Sequence, residues 1–151
     1  MTQPATGQGT PPVLSIPGLA PELRERVLEG MARVEALLSA RVAADDPFVA
    51  EASGHLLAAG GKRFRPLLTL LVAELGAGAT DEVVAAAAGV ELTHLASLYH
   101  DDVMDEADVR RGAPSANARY GNSTAILVGD LLFGTASDIV ADLGPQAVKI
   151  Q

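Results

Sequence analysis

The spacing of the apolar residues constrains this chain most, because it repeats every three or four positions over most of the length. The first stretch with this period follows Pro21 and consists of Leu23, Val27, Met31, Val34 and Leu38. Such a period buries one stripe of an α-helix, whereas a half-buried strand would alternate every second residue. The 27 alanines and the 3% aromatic content also favour helices that pack through small side chains. The sequence therefore predicts an all-α fold.

Proline, glycine and capping residues divide the chain into five predicted helices. The first begins at Pro21, and the second has Asp46 as its N-cap and Pro47 as its first residue. The third begins at Pro66 and is apolar enough to be buried nearly all round. The remaining bounds are about Ala59 for the end of the second helix, Gly76 after the third, Thr80 to Ala107 for the fourth, and Ser123 to Leu143 for the fifth.

The ends and connections of the chain carry fewer restraints. Residues 1–18 contain prolines, glycines and glutamines without an apolar period, so we expect a disordered tail there. Residues 110–121 should form a loop, and no segment has the alternation of a strand. A chain of 151 residues has room for one core, so residues 19–151 are expected to form a single helical unit.

The composition excludes several classes of function. A formal net charge of −8 and only five aromatic residues offer little means of neutralising a phosphate backbone or stacking bases, so we expect no nucleic-acid partner. Because the chain has no cysteine, any metal must be held by oxygen or imidazole ligands. No uninterrupted apolar stretch of about 18 residues predicts a transmembrane segment, and the first 20 residues lack the features of a signal peptide. We expect a cytoplasmic protein.

An acidic segment near the end of the fourth predicted helix carries the first functional signal. Five of the eight residues from Asp101 to Asp108 are acidic, and Asp101 and Asp105 lie one helical turn apart. Their repulsion costs about 0.2–0.5 kcal/mol, and the negative end of the helix dipole adds to it. Magnesium takes one or two carboxylates and completes its octahedron with water and phosphate oxygens. The segment indicates either a Mg²⁺ site at Asp101 and Asp105 or a solvated acidic helix end.

Cationic residues stand on both sides of this acidic segment. His94 lies seven positions before Asp101 and shares its helix stripe, although an isolated histidine there would more often be an ordinary, partly buried one. The segment GGKRFRP, residues 60–66, carries three cations in four positions, and Arg110 and Arg111 follow the acidic segment. Lysine and arginine together suit a diphosphate, although each cationic segment alone could equally be a basic surface turn or simple charge balance. Their combination with the acidic segment favours an anion site.

Taken in order, GGKRFRP, ELTHLASLYHDDVMDEADVRRG and GNSTAILVGDLLF resemble the signature segments of the trans-type polyprenyl diphosphate synthases. The resemblance extends from about Leu19 to the end of the chain. Asp101, Asp102 and Asp105 match the family's first aspartate-rich motif, DDxxD. The resemblance implies an antiparallel helical bundle of the isoprenoid synthase type, of which only the first part is present.

The resemblance also implies a role for each matching residue. Four residues would bind isopentenyl diphosphate through its diphosphate: Lys62, Arg65, His94 and Arg111. Asp101 and Asp105 would hold Mg²⁺ that bridges an allylic diphosphate, Asp102 would belong to the same catalytic motif, and Arg110 would contact the allylic substrate. The implied reaction is ionisation of the allylic diphosphate, attack by the isopentenyl double bond and loss of a proton.

Product length in this family depends on side chains one or two turns before the first aspartate motif. Those positions are Ala96 and Ser97 here, preceded by Thr93 and Gly89, and all four side chains are small. Small residues would leave a channel open, so the resemblance favours a geranylgeranyl or longer product. Close packing in an alanine-rich bundle explains the same residues equally well.

The sequence departs from the family pattern in one respect. No second aspartate-rich motif follows Asp142, so we read the chain as the amino-terminal half of a synthase and expect it to be inactive alone. Its apolar helices should leave uncovered patches, which favours a homo-oligomer, most simply a dimer. The alternatives are a non-catalytic diphosphate-binding subunit or regulatory partner of a prenyl synthase, and a purely structural helical module. A terpene cyclase fits less well, because GGKR and the paired arginines suit a second diphosphate substrate.

Overall fold

The computed structural model describes residues 17–151, and over this part of the chain it is a helical bundle with one short hairpin. The elements are α1 (Pro21–Val42), α2 (Pro47–Ala58), α3 (Phe64–Ala73), α4 (Asp81–Met104), β1 (Val109–Arg110), β2 (Ala113–Pro114), α5 (Ala116–Tyr120), α6 (Asn122–Asp142) and α7 (Pro145–Ile150). The predicted all-α fold is confirmed. The predicted tail at residues 1–18 lies outside the described residues, except for Pro17 and Gly18, which form a turn.

Two helices begin where their capping residues predicted. The Asp46 carboxylate accepts hydrogen bonds from the backbone N–H groups of Phe48 at 2.9 Å and Val49 at 3.0 Å. The Thr80 hydroxyl accepts the N–H of Val83 at 3.3 Å at the start of α4. Each side chain satisfies donors that have no partner within the helix, which explains why α2 and α4 begin at these positions.

The third helix differs from its prediction in both its start and its burial. It begins at Phe64, two residues before Pro66, because Arg63 adopts a left-handed backbone conformation (φ 47°) and ends the preceding loop. Only one stripe is buried, whereas Leu68 and Val72 are exposed. Within residues 17–151, α3 packs mainly against α1 and α4, which leaves its outer face uncovered.

The region after α4 is more ordered than the sequence predicted. Helix α4 ends at Met104 rather than Ala107, and the expected loop at residues 110–121 contains the β1–β2 hairpin and α5 instead. The strands pair antiparallel, with Arg110 opposite Ala113, and Arg111 and Gly112 turn the chain with φ of 55° and 77°. Two-residue strands are too short for an alternating pattern, so periodicity could not reveal them. Helix α7 was not predicted either.

Helix α4 is the central element of the bundle and packs most extensively against α6. Its buried side chains are mostly small or aliphatic, including Ala87, Ala88, Leu92 and Leu95. At Gly89 a Cβ atom would lie 3.1 Å from Val140 Cγ2, so the missing side chain permits the close approach of the two helices. This packing fixes the acidic carboxyl end of α4 relative to the rest of the bundle.

Helix α6 is long and apolar enough to cross a membrane by length and composition alone. In the structure, Val128, Leu132 and Ile139 lie in the core, while Leu127 and Leu131 are exposed. One buried face is what a helix of a bundle core requires, and core helices pass the same compositional test. The exposed face adds to the uncovered apolar surface of the chain.

Candidate functional site

Four of the residues predicted for the site lie within electrostatic range of a fifth, His94. Burial lowers the pKa of His94 first, the positive charges of Arg65, Arg111 and Arg110 lower it further, and Asp101 opposes them. These charges come from the start of α3, the middle and end of α4, and the hairpin, so a single imidazole lies within range of all three elements. The structure thereby joins segments that are separated by up to about fifty residues of sequence.

The acidic end of α4 offers two carboxylates without cationic partners. Asp101 is half-buried and Asp105 is exposed, and within residues 17–151 neither forms an ion pair. No cluster of three or more histidine, aspartate or glutamate side chains suited to a metal occurs in this part of the chain. Two free carboxylates one turn apart suit a hard ion such as Mg²⁺ that takes its other ligands from water and phosphate. The donor set therefore fits magnesium.

Asp102 has a different environment from the other two aspartates of the motif. Its side chain is 0% exposed, and its Oδ1 atom accepts a hydrogen bond from Arg110 Nε at 2.7 Å and forms an ion pair with Nη2 at 2.6 Å. Its Oδ2 atom is buried without a hydrogen-bond partner. The sequence grouped Asp102 with Asp101 and Asp105, but the structure turns it inward, where it holds Arg110 of the hairpin against α4.

Arg111 links the hairpin to the glycine loop that precedes α3. Its Nη1 atom donates to the carbonyl oxygen of Leu56 at 2.8 Å and to that of Gly60. A Cβ atom on Gly61 would lie 2.9 Å from Arg111 Cζ, so only glycine leaves room for the guanidinium. Burial and the nearby charge of Arg63 lower the pKa of Arg111, while Glu91 opposes the shift. Arg111 therefore connects the hairpin to the basic loop.

The basic segment itself divides into exposed and buried cations. Lys62 and Arg65 are exposed and form no ion pair within the described residues. Arg63 between them is buried and pairs with Glu35 of α1 and Glu91 of α4. Sequence reasoning missed Glu91, although a glutamate on the apolar stripe of α4, three positions before His94, was a signal that could have identified it.

A cleft of about 590 Å³ lies beside α4 and is lined mainly by apolar atoms. Along α4 the lining runs from Ser97, one turn before Asp101, back through Thr93 and Gly89, and Arg65 and His94 also border it. The other wall consists of α6 and α7 residues, namely Phe133, Val140, Leu143, Ala147, Ile150 and Gln151. Of the two residues predicted to set product length, Ser97 borders this cleft, whereas Ala96 faces the core and is fully buried.

Comparisons with known proteins show which family this chain resembles. The sequence model of the polyprenyl synthetase family matches residues 46–151. A nonaprenyl diphosphate synthase from Mycobacterium tuberculosis is 55% identical over 125 residues, which cover 82% of this chain and 37% of that protein. A dimethylallyltranstransferase from the same organism is 41% identical over 131 residues, covering 86% of this chain and 40% of that protein. The chain spans about two fifths of the length of these relatives.

Solved structures show the same similarity. A decaprenyl diphosphate synthase from Rhodobacter capsulatus superposes with a TM-score of 0.77 at 42% identity, covering 85% of this chain and 40% of that one. A polyprenyl synthase from Caulobacter crescentus, complexed with calcium and isoprenyl diphosphate, gives a TM-score of 0.76 at 37% identity, covering 83% of this chain and 40% of that one. The helices described above therefore adopt the arrangement of the corresponding part of those proteins.

Proposed function

This chain belongs to the polyprenyl synthetase family, and we propose that its site binds isopentenyl diphosphate and an allylic diphosphate as the first part of a trans-type prenyltransferase. One observation carries the proposal: the unpaired carboxylate of Asp101 lies within electrostatic range of His94, and so do Arg65 and Arg111, which form no ion pair within residues 17–151. Opposite charges left this close without pairing are suited to a ligand that is anionic and brings its own metal ions.

The carboxylates are the metal-binding side of the proposed site. Asp101 and Asp105 would hold Mg²⁺, which when bound withdraws negative charge from the departing diphosphate. The Caulobacter relative was crystallised with calcium, another hard divalent ion, together with an isoprenyl diphosphate. Asp102 contributes by holding Arg110, whose Nη1 atom stays available for the allylic diphosphate because Asp102 engages only Nε and Nη2.

The cations are the second side of the proposed site. Lys62 and Arg65 would bind the diphosphate of isopentenyl diphosphate together with His94 and Arg111. The side chains of Lys62 and Arg65 are exposed and therefore free to reach the ligand. Fixed positive groups would stabilise the charge that develops as the allylic carbon–oxygen bond breaks. The isopentenyl double bond then attacks the resulting cation, and a proton is lost from the adduct. No protein nucleophile takes part.

The cleft beside α4 supports a geranylgeranyl or longer product. Ser97, Thr93 and Gly89 have small side chains, so a growing hydrocarbon chain could lie along this side of α4. Relatives of this segment carry names that span nonaprenyl, octaprenyl and geranylfarnesyl diphosphate synthases. Phe133 lines the opposite wall of the cleft.

We also propose that residues 19–151 form one helical unit that does not catalyse elongation alone. The described residues supply a single carboxylate pair, and a diphosphate bound from one side would lack the remaining metal ligands. A non-catalytic diphosphate-binding subunit is the second candidate. A relative named component 2 of a heptaprenyl diphosphate synthase, from Geobacillus stearothermophilus, is 42% identical over 123 residues and bears the name of one part of a multi-component enzyme. The exposed apolar faces of α3 and α6 support association with a second copy, as a dimer.

Calorimetry with geranyl diphosphate and inorganic diphosphate, with and without Mg²⁺, tests the proposed site. We expect binding that requires Mg²⁺, and we expect Asp101→Asn with Asp105→Asn to weaken it by about tenfold or more, as loss of metal-ligating groups does. Asp108→Asn is the matched control, because it removes an exposed charge from the same acidic segment. If the double variant bound the diphosphates as tightly as the wild-type chain in the presence of Mg²⁺, the proposed site would be refuted.

Incubation of this chain with labelled isopentenyl diphosphate, an allylic diphosphate and Mg²⁺ tests the second part of the proposal. We expect no elongated product from the chain alone. Rapid elongation would show that the described carboxylate pair suffices. Elongation that appears only when another chain is added would favour the subunit hypothesis.

A further inference from the structure

The guanidinium group of Arg63 is surrounded by protein acceptors. Its Nε atom donates to Glu35 Oε1 at 2.5 Å, and its Nη1 atom donates to Glu91 Oε1 at 3.3 Å. Backbone carbonyls occupy further donors, at 3.2 Å from Leu57 and 3.5 Å from Gly60. A guanidinium group with this many protein acceptors has no N–H donor left for a ligand. Arg63 is thus a structural cation within a segment whose neighbours are exposed.

Glu91 is the buried partner in this network, which we call the Glu35–Arg63–Glu91 network. Its side chain is 2% exposed, whereas that of Glu35 is 42% exposed. Burial raises the pKa of Glu91, and the charges of Arg63, Arg111 and Arg65 act against the rise. A carboxylate taken out of water in this way is tolerated because it neutralises several arginines at once.

The same network determines the backbone of the glycine loop. Arg63 is itself in a left-handed conformation, which disfavours any residue with a Cβ, so its contacts must outweigh that cost. Gly60 receives hydrogen bonds from both Arg63 and Arg111, which brings the two guanidinium groups to one carbonyl oxygen. Lys62 lies between these anchored positions, and Arg65 follows on the first turn of α3.

We propose that Arg63 and Glu91 are positioning residues whose network holds residues 60–65 in the conformation that presents Lys62 and Arg65 to a diphosphate. This inference rests on the proposed function for its ligand but on contacts of the described residues for its mechanism. Neither residue contacts the substrate. Their effect on affinity passes through the backbone that they hold.

Glu91→Gln distinguishes a positioning role from simple charge attraction, because the two predict opposite changes in the affinity for diphosphate. The variant removes a negative charge beside three arginines, so attraction alone would tighten the binding of inorganic diphosphate. Loss of the network should instead weaken the binding of diphosphate by about tenfold. This factor is the lower end of the loss in metal affinity that follows removal of an outer-shell partner. Arg63→Lys keeps the charge but loses the fork, and we expect a similar loss of affinity.

The matched controls lie at a similar network on the other side of α1. Glu74→Gln removes a mostly buried carboxylate that pairs with Arg26 at 2.7 Å, and Arg33→Lys removes a fork shared between Ala79 and Asp81. Both should leave diphosphate affinity within about twofold, because the partners of Glu74 and Arg33 lie outside residues 60–65 and distant sites act independently. Tighter or unchanged binding in Glu91→Gln would overturn the proposal.

Amide hydrogen exchange of residues 60–65 gives a second measurement that needs no ligand. We expect faster exchange at this loop in Glu91→Gln and Arg63→Lys, with the core of α4 still protected, and no change in the two controls. Unchanged exchange would overturn the positioning role even if diphosphate affinity fell. If the variants exchange faster but the wild-type chain binds no diphosphate, the proposed function is refuted. The role of the network in holding the loop is then still supported.

Discussion

Asp102 and Arg110 join the end of α4 to the hairpin: Oδ1 of the carboxylate accepts a hydrogen bond from Nε at 2.7 Å and forms an ion pair with Nη2 at 2.6 Å. The carboxylate is fully buried, while the guanidinium remains partly exposed. The three aspartates Asp101, Asp102 and Asp105 are therefore of two kinds. Asp101 and Asp105 are free to bind a ligand, and Asp102 has a structural partner.

Asp102→Asn should destabilise the chain, because it leaves Arg110 without a charge partner beside a buried amide. We expect the free energy of unfolding to fall by about 2–3 kcal/mol, below the 3–5 kcal/mol typical of a fully buried pair because Arg110 is partly exposed. Urea denaturation measures the loss. Asp101→Asn is the control and should stay within about 0.5 kcal/mol. If the two variants lowered the free energy of unfolding equally, the distinction between a paired Asp102 and a free Asp101 would be contradicted.

His94 should make stability depend on pH. Its pKa is lowered in the folded chain, chiefly by burial, so the unfolded chain holds more protons in the window just below its ordinary value of about 6.5. The free energy of unfolding should therefore decrease as the pH falls through that window and should be unaffected by His94 above it. Urea unfolding from pH 5 to 7 tests this, and His94→Gln should flatten the dependence. An unchanged slope in the variant would assign the dependence to another group.

Tyr99 ties α4 to α2 from within the core. Its hydroxyl donates to the carbonyl oxygen of Ala52 at 2.5 Å and accepts the N–H of Leu56 at 3.3 Å, and burial raises its pKa to about 12. Tyr99→Phe leaves both backbone groups without this partner, so we expect a loss of about 1–3 kcal/mol in denaturation experiments.

Tyr120→Phe is the matched control for Tyr99→Phe. The Tyr120 hydroxyl donates to the exposed Glu51 at 3.1 Å, so its removal should change stability by less than about 0.5 kcal/mol. If both variants lost the same stability, the buried position of the Tyr99 hydroxyl would not be the cause.

Phenylalanine at two adjacent positions of α4 should have opposite consequences. Ser97→Phe would enter the cleft and should shorten the product of a synthase that contains this segment, with little effect on folding. Ala96→Phe would overfill the core and should lower the free energy of unfolding by about 1–3 kcal/mol or more. Chromatography of the products and thermal unfolding distinguish the two. A shorter product from Ala96→Phe at unchanged stability would contradict the assignment of the cleft.

Much of the helical framework could be predicted because its signals are local. Asp46 and Thr80 cap helices through N–H groups two or three residues away, and the apolar stripe of α1 depends only on the helical period. The prediction that α3 is buried nearly all round was wrong, because burial depends on which neighbours cover a helix. The hairpin was missed because its two-residue strands carry no measurable alternation.

The sequence by itself determined which residues have the chemistry for a diphosphate and a divalent ion: a carboxylate pair one turn apart, a histidine on the same stripe, and cations in two glycine-containing segments. Only the tertiary structure decided which of these are free. Arg63 meets carboxylates 28 residues away in either direction, and Arg111 reaches a carbonyl oxygen 55 residues away. The physical reason is that helical period and capping act over one turn, whereas desolvation and pairing of charges depend on segments that become neighbours only when the chain folds.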